Sequence, residues 1–192
     1  MTKSQNAVVG RVSRRGLLGV FAASAVAAAP AQAGIFGFLR GGGDVRRLKM
    51  YSARTGEAID MVYWVDGRYV KPALDEISYF MRDWREDKAI EIDTRTIDIM
   101  AAAHRMMDVD EPYLLLSGYR SPRTNAYLRR RGSGVARKSL HMSGEAADLR
   151  LKSRSVSQMA RAARACNAGG VGRYYGSNFV HMDCGPVRTW RG

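Results

Sequence analysis

The thirteen residues Ser139-Leu140-His141-Met142-Ser143-Gly144-Glu145-Ala146-Ala147-Asp148-Leu149-Arg150-Leu151 constrain the fold more tightly than any other stretch of this chain. One of only three histidines, His141, lies near the start. Seven residues later Asp148 opens an alternating run, Asp148-Leu149-Arg150-Leu151, that reads as a strand. On one continuous helix the two side chains would share a face but stand about 10 Å apart along the axis, at about 1.5 Å per residue. A shared metal such as zinc needs its donor atoms about 2 Å away. If His141 and Asp148 hold one ion, the chain must fold back between them. Ser143-Gly144 is the place for this, because glycine takes a positive φ at little cost. Ala146 and Ala147 keep side-chain bulk low beside the site. Spacing alone leaves two readings open, an ordinary polar pair or two ligands of one ion. In the second, Val180-His181-Met182-Asp183 offers the remaining ligand from a distant part of the chain.

The rest of the chain reads as short strands and amphipathic helices in one domain over residues 46–192, preceded by a flexible Gly-rich lead-in over residues 34–45. Leu48–Ser52 and Ala58–Trp64 are strand-like and flank an Arg54–Glu57 turn. Asp66-Gly67 is a second turn signal before Arg68–Val70. Pro72 ends that strand and introduces a helix from Ala73 to about Glu86, with Leu74, Ile77, Phe80, Met81 and Trp84 at helical spacing. Asp93-Thr94 caps a second helix, about Arg95 to Met107, on which His104 reads as structural. Tyr113–Ser117 is an apolar run suited to a central strand, delivering Gly118-Tyr119-Arg120-Ser121-Pro122 to a loop. Helices follow over Thr124–Arg131 and Val156–Cys166, the second broken by Gly169-Gly170-Val171-Gly172. Arg173–Tyr175 and Phe179–Asp183 read as strands around Gly176-Ser177-Asn178. His181 and Asp183, two apart on such a strand, point to one face. Tyr174 and Tyr175 suit either a cleft wall or the core, and Arg129-Arg130-Arg131 either a solvated face or contact with a polymer. Cys166 and Cys184 are compatible with one bridge or two buried thiols.

The formal net charge is +13. Residues 1–33 contribute Lys3, Arg11, Arg14 and Arg15 with no acid, so the remainder still carries 27 basic against 18 acidic residues. Such a surface favours polyanions. No nucleic-acid-binding module is recognisable, and the leader directs attention elsewhere. Ser13-Arg14-Arg15-Gly16-Leu17-Leu18 resembles a twin-arginine export signal, followed by an apolar stretch from Gly16 to Ala29 and an A-x-A site at Ala31-Gln32-Ala33. That stretch is short against the roughly 20 residues of a membrane span. Cleavage after Ala33, release into the periplasm and no stable span thereafter are expected. The partners expected are the twin-arginine export machinery and an anionic cell-wall polymer rather than nucleic acid.

Ser139-x-His141-x-x-Gly144-x-Ala146-x-Asp148 resembles the zinc motif of the M15 peptidases, the D-Ala-D-Ala carboxypeptidase and hedgehog-like metallopeptidases. Within them the likeness is greatest to the murein endopeptidase K branch, also catalogued as a domain of unknown function (DUF882). It is carried further by Val62–Tyr69, Ser117-Gly118-Tyr119-Arg120-Ser121-Pro122, and Gly169–Gly172 through His181-Met182-Asp183 to Trp190. The resemblance implies an α+β, hedgehog/DD-peptidase-like fold in which an antiparallel sheet carries a zinc site and helices flank it. It implies one zinc ion per chain on His141, Asp148 and His181, with a position left for water, and hydrolysis of peptide cross-links in peptidoglycan. Arg120 matches an arginine that holds an oxyanion or a substrate carboxylate. Ser139 is expected to orient substrate or a ligand, and Tyr174 to touch substrate. Asp183 is expected to take the proton of the attacking water, its alternative role being to orient a ligand histidine. Many relatives carry a Glu three residues before the last His, or His-x-His; this chain has Asn178 and His-x-Asp there, and Glu145 is a possible substitute base, although it is expected to face away. A binding module that kept the fold without catalysis is the contrasting reading.

Overall fold

The structure is a computed structural model that describes residues 45–132 and 134–192. The expected signal sequence, and the lead-in up to residue 44, lie outside the described residues. Eight strands form one sheet: β1 (Val45–Tyr51), β2 (Ala58–Val65), β3 (Arg68–Tyr69), β4 (Tyr113–Ser117), β5 (Ala146–Arg150), β6 (Gly170–Tyr174), β7 (Phe179–Asp183) and β8 (Arg188–Arg191), in the order β3-β2-β1-β4-β5-β7-β6-β8. Among the described residues four helices accompany them: α1 (Lys71–Phe80), α2 (Thr94–Met106), α3 (Pro122–Arg131) and α4 (Val156–Ala165).

The class is α+β, as the resemblance implies, but the sheet is mixed rather than antiparallel. β1 runs parallel to β4, and β6 parallel to β8. The first parallel pair follows from chain length. Between β1 and β4 lie a hairpin and two helices, so the chain can cross over and return in the same direction. The second follows from order, because β8 passes β7 and lands on the free edge of β6.

Alternation along the strands divides the sheet into an apolar face and a polar one. Leu48 and Met50 of β1, Leu149 of β5, Val171 of β6, and Val180 and Met182 of β7 are buried in the core with Ile97 and Met100 of α2 and Met159 of α4. The opposite face carries Asp148, His181, Gly172 and Trp190 in one cross-strand row: Asp148 pairs with His181, His181 with Gly172, and Gly172 with Trp190.

Several boundaries differ from those the pattern suggests. α1 stops at Phe80 instead of about Glu86. The carbonyl of Met81 takes the Tyr119 N–H at 2.7 Å, and Asp83 bridges to Lys88, so tertiary bonds displace the helical ones. Gly170–Gly172 belongs to β6 rather than to a break. A Cβ at Gly172 would lie 2.6 Å from the Trp190 indole, and one at Gly169 1.7 Å from the Asp183 carbonyl oxygen, so these glycines permit close strand packing. β8 has no apolar alternation and is not evident in the sequence. Asp93 caps α2 by accepting the Arg95 N–H at 2.8 Å. His104 bonds the Glu111 carbonyl at 2.8 Å, a structural role. Cys166 and Cys184 are both free and buried.

Candidate active site

The fold-back expected between His141 and Asp148 occurs at Gly144, which has φ +74° and closes a single 3-10 turn, Leu140–Ser143. A side chain there would also meet the Glu91 carbonyl oxygen at 2.5 Å. The turn drops His141 beneath the polar face of the sheet, where β5 and β7 present Asp148 and His181 side by side. His141 Nε2 lies 3.2 Å from His181 Nδ1 and 3.3 Å from Asp148 Oδ1, and His181 Nδ1 lies 2.9 Å from the same oxygen. Four donors at 2.0–2.1 Å around a tetrahedral ion stand about 3.3 Å from one another. The triangle is therefore close to the size a tetrahedral metal requires, and the three residues could hold one ion.

The outer edge of each ring is bonded too. His141 Nδ1 donates to the Gly118 carbonyl at 2.7 Å, and His181 Nε2 donates to Asp183 Oδ2 at 2.9 Å. The Gly118 bond places the His141 proton on the outer nitrogen and leaves the Nε2 lone pair facing the cluster, whereas His181 has a carboxylate at each ring nitrogen, so an ion between the three residues would take the place of the proton that its Nδ1 gives to Asp148 Oδ1. Arg120 completes the arrangement. Its NH2 group bonds Asp148 Oδ2 and its Nε donates to Ser117 Oγ at 2.7 Å, which leaves Oδ1 to face the histidines.

The electrostatics suit a cation. Burial would raise the pKa of Asp148, but His141, His181 and Arg120 outweigh it and hold the carboxyl well below the usual range. Burial lowers the pKa of His141. Burial also works to lower His181, yet its bonds to Asp148 and Asp183 prevail and raise it to about 8. Asp148 is thus anionic and His141 neutral at neutral pH, and the proton that His181 retains is the one a metal would displace.

A cleft of about 450 Å³ opens over this cluster. Arg120, Ser139, Tyr174 and Trp190 line it, as do Lys138 and Arg188. Ser139 and Tyr174 therefore lie in the cleft wall. Tyr174 stacks on Phe179 and accepts the Trp190 indole N–H at 3.1 Å. Asp183 is placed differently from the expectation. It is fully buried and lies beyond the outer nitrogen of His181, away from the cleft. Its oxygens also accept the N–H groups of Gly170 and Gly185, each at 3.0 Å, and two bonds from Arg188 at 3.0 and 2.8 Å. Burial pushes this carboxyl up, but His181 and Arg188 hold it far below its ordinary value. Glu145 also turns away, towards Ser143 Oγ at 2.7 Å and Arg95. Among the described lining residues Asp148 is the only carboxylate. The roles of Arg188 and of the Gly118 carbonyl had no signal in the sequence, because each depends on a partner far along the chain.

A family model described as peptidoglycan L,D-endopeptidase MepK, of the M15 peptidases, matches residues 40–190. The chain belongs to this family. It is 40% identical over 146 residues to the peptidoglycan L,D-endopeptidase MepK of Escherichia coli K12, an alignment covering 76% of this chain and 80% of that protein. The Shigella flexneri protein of the same name matches to the same extent. A probable peptidoglycan L,D-endopeptidase MepK of Haemophilus influenzae is 32% identical over 148 residues, 77% of this chain and 80% of the relative. The motifs His141-x-x-Gly144 and His181-x-Asp183 both lie inside the matched span.

Proposed function

We propose that this protein is an exported zinc peptidase that hydrolyses amide bonds in the peptide cross-links of peptidoglycan, cutting at L,D linkages as its relatives' names state. The observation that carries the reading is the convergence of the His141, Asp148 and His181 donors, 2.9–3.3 Å apart, at the floor of an open cleft. Two nitrogens and a carboxylate oxygen suit zinc, and three protein donors leave the fourth position open, the arrangement of catalytic rather than structural sites.

Zinc bound there would lower the pKa of a water to about 7 and polarise the scissile carbonyl. The chain's own groups do the rest. The Gly118 carbonyl and Asp183 hold the two imidazoles in the ligating tautomers. Arg120, fixed by Ser117 and Asp148, presents a permanent positive charge at the cleft wall for the developing oxyanion or a substrate carboxylate. Ser139, Tyr174 and Trp190 shape the walls that orient the peptide. Asp183 orients His181 and does not act as base, because its oxygens are occupied by five donors on the side away from the cleft. The basic rim formed by Arg120, Lys138 and Arg188 suits a polymer rich in free carboxylates.

The twin-arginine leader supports export to the periplasm with cleavage after Ala33. Among the described residues no helix is long and apolar enough to cross a membrane. The absence of a second carboxylate among the described lining residues favours one further reading, a peptidoglycan-binding module without catalysis. Digesting purified sacculi with the mature protein, with and without chelator, and separating the muropeptides decides between them. Chelator-sensitive loss of cross-linked dimers is expected; binding with no change in the muropeptides would refute the enzymatic reading.

A further inference from the structure

Asp83 lies outside the cleft, yet it is 2% exposed and sits beneath the loop that carries Arg120. Burial raises its pKa, but hydrogen bonds from the Thr124 hydroxyl and from the Ser121 backbone and hydroxyl outweigh burial and keep it ionised. Its Oδ2 accepts the Ser121 N–H at 2.9 Å and its Oδ1 the Arg85 N–H at 3.1 Å. Ser121 is the N-cap of α3, so the charge also faces the positive end of that helix. A buried carboxylate is costly unless hydrogen bonds compensate its charge, and here the donors that do so come from Ser121, Thr124 and Arg85.

The donor it places beside Arg120 is the Ser121 N–H, on the residue that follows it. Three consecutive N–H groups are tied to two distant parts of the chain. Tyr119 N–H goes to the Met81 carbonyl at 2.7 Å, Arg120 N–H to the His141 carbonyl at 3.0 Å, and Ser121 N–H to Asp83. Two of these three anchors belong to the segment that leaves the end of α1. Gly118 is pressed so closely on Met81 that a Cβ there would lie 2.4 Å from the Met81 carbonyl oxygen. That segment is itself fixed. Asp83 and Lys88 form an antiparallel bridge, and Arg82 pairs with Glu57 at 2.9 Å. The backbone that aims the Arg120 guanidinium is therefore pinned on one side by the His141 turn and on the other by Met81 and Asp83.

We infer that Asp83 is a positioning residue for the reaction, holding the Ser117–Ser121 loop so that Arg120 meets the substrate at the correct distance and angle. The inference rests on the proposed peptidase activity. Displacement of a catalytic group by about 1 Å can cost on the order of 10²-fold in rate. Asp83→Ala removes both acceptors at the base of the loop. It should lower kcat on a purified cross-linked muropeptide by about 10- to 100-fold, with KM within about threefold. Asp83→Asn keeps an oxygen for the Ser121 N–H and should fall between Asp83→Ala and the wild type.

The decisive measurement is a double-mutant cycle with Arg120→Ala, run at saturating zinc over long digestions with zinc content recorded for every variant. If Asp83 acts through Arg120, Asp83→Ala or Asp83→Asn should cost less than about twofold more in the Arg120→Ala background. The inference is overturned if the two losses multiply, if kcat is unchanged while only the melting temperature falls, or if activity is lost in step with metal content. Should Asp83→Ala not fold, Asp83→Asn carries the same cycle. A wild-type protein that cleaves nothing would refute the peptidase reading itself, an outcome read separately from the cycle.

Discussion

Asp183→Asn separates the two roles an aspartate can play beside a ligand histidine. In the folded protein Asp183 Oδ1 accepts from Gly170 N, Gly185 N and Arg188, and Oδ2 from His181 Nε2 and a second Arg188 nitrogen. Every neighbour is a donor. An amide must put its own NH2 against one of these sets, and the set at Oδ1 includes two backbone groups that cannot reverse. The NH2 will therefore face His181, whose least costly response is to accept from it at Nε2. The imidazole proton then moves to Nδ1, the nitrogen 2.9 Å from Asp148 Oδ1, and the lone pair a metal needs is gone. Loss of such an orienting partner typically weakens metal binding by 10- to 100-fold. Breaking a buried charge network of this kind should also destabilise the fold by about 3 kcal/mol. The assay is zinc competition against a chromophoric chelator, with muropeptide cleavage measured at limiting and at excess zinc. Zinc affinity is expected to fall by that factor, and much of the lost cleavage to return at excess zinc. Unchanged zinc affinity with a loss in kcat of about 10²–10⁴-fold would refute this reasoning and return Asp183 to the role of general base.

His141→Ala or His181→Ala should abolish stoichiometric zinc, read by elemental analysis against about one ion in the wild type, because two donors remain where a catalytic site needs three. In the metal-free protein the His181 pKa is raised to about 8. A raised folded-state pKa contributes stability that is fully present below the unfolded value near 6.5 and lost as pH rises through 8. Chelator-treated protein should accordingly lose on the order of 2 kcal/mol between pH 6 and pH 9 in denaturant melts, and a pH-independent stability would refute the assignment. Replacing Arg14 and Arg15 together by Lys should strand precursor in the cytoplasm if the proposed leader operates, because the pair matches the receptor-read part of a twin-arginine signal. Mass spectrometry of exported protein should find Gly34 at the start of the chain, and a full-length protein in the membrane fraction would show a retained anchor.

Much of the site was legible because its elements are local. A glycine between His141 and Asp148 reports a fold-back wherever the rest of the chain lies, and the αL conformation of Gly144 is that fold-back. The period-two pattern of Phe179–Asp183 places His181 and Asp183 on one face before any partner strand is known. Length and polarity likewise located α2, β4 and α4 to within a few residues. Elements whose identity depends on a remote neighbour were not legible. α1 ends early because the Met81 carbonyl and Asp83 are taken by the Arg120 loop. The glycines of β6 look like a helix breaker until Trp190 is laid against Gly172.

The residue types by themselves left His141 and Asp148 open to two readings, an ordinary polar pair or two ligands of one ion; the resemblance to the M15 zinc motif is what named His141, Asp148 and His181 as one set. Only the tertiary structure decided which atoms face inward. Ring tautomers are set by the groups on the outer edge, here the Gly118 carbonyl and the Asp183 carboxylate. Gly118 lies 23 residues from His141 in sequence, and its bond to Nδ1 exists only once β4 and β5 are paired. Asp183, adjacent in pattern to His181, looked equally able to serve as base or as support. Burial beneath Arg188 and the N–H groups of Gly170 and Gly185 supports the second role, the one proposed above, because a carboxylate already engaged by five donors is suited to orienting a neighbouring ring rather than to receiving a proton from substrate water.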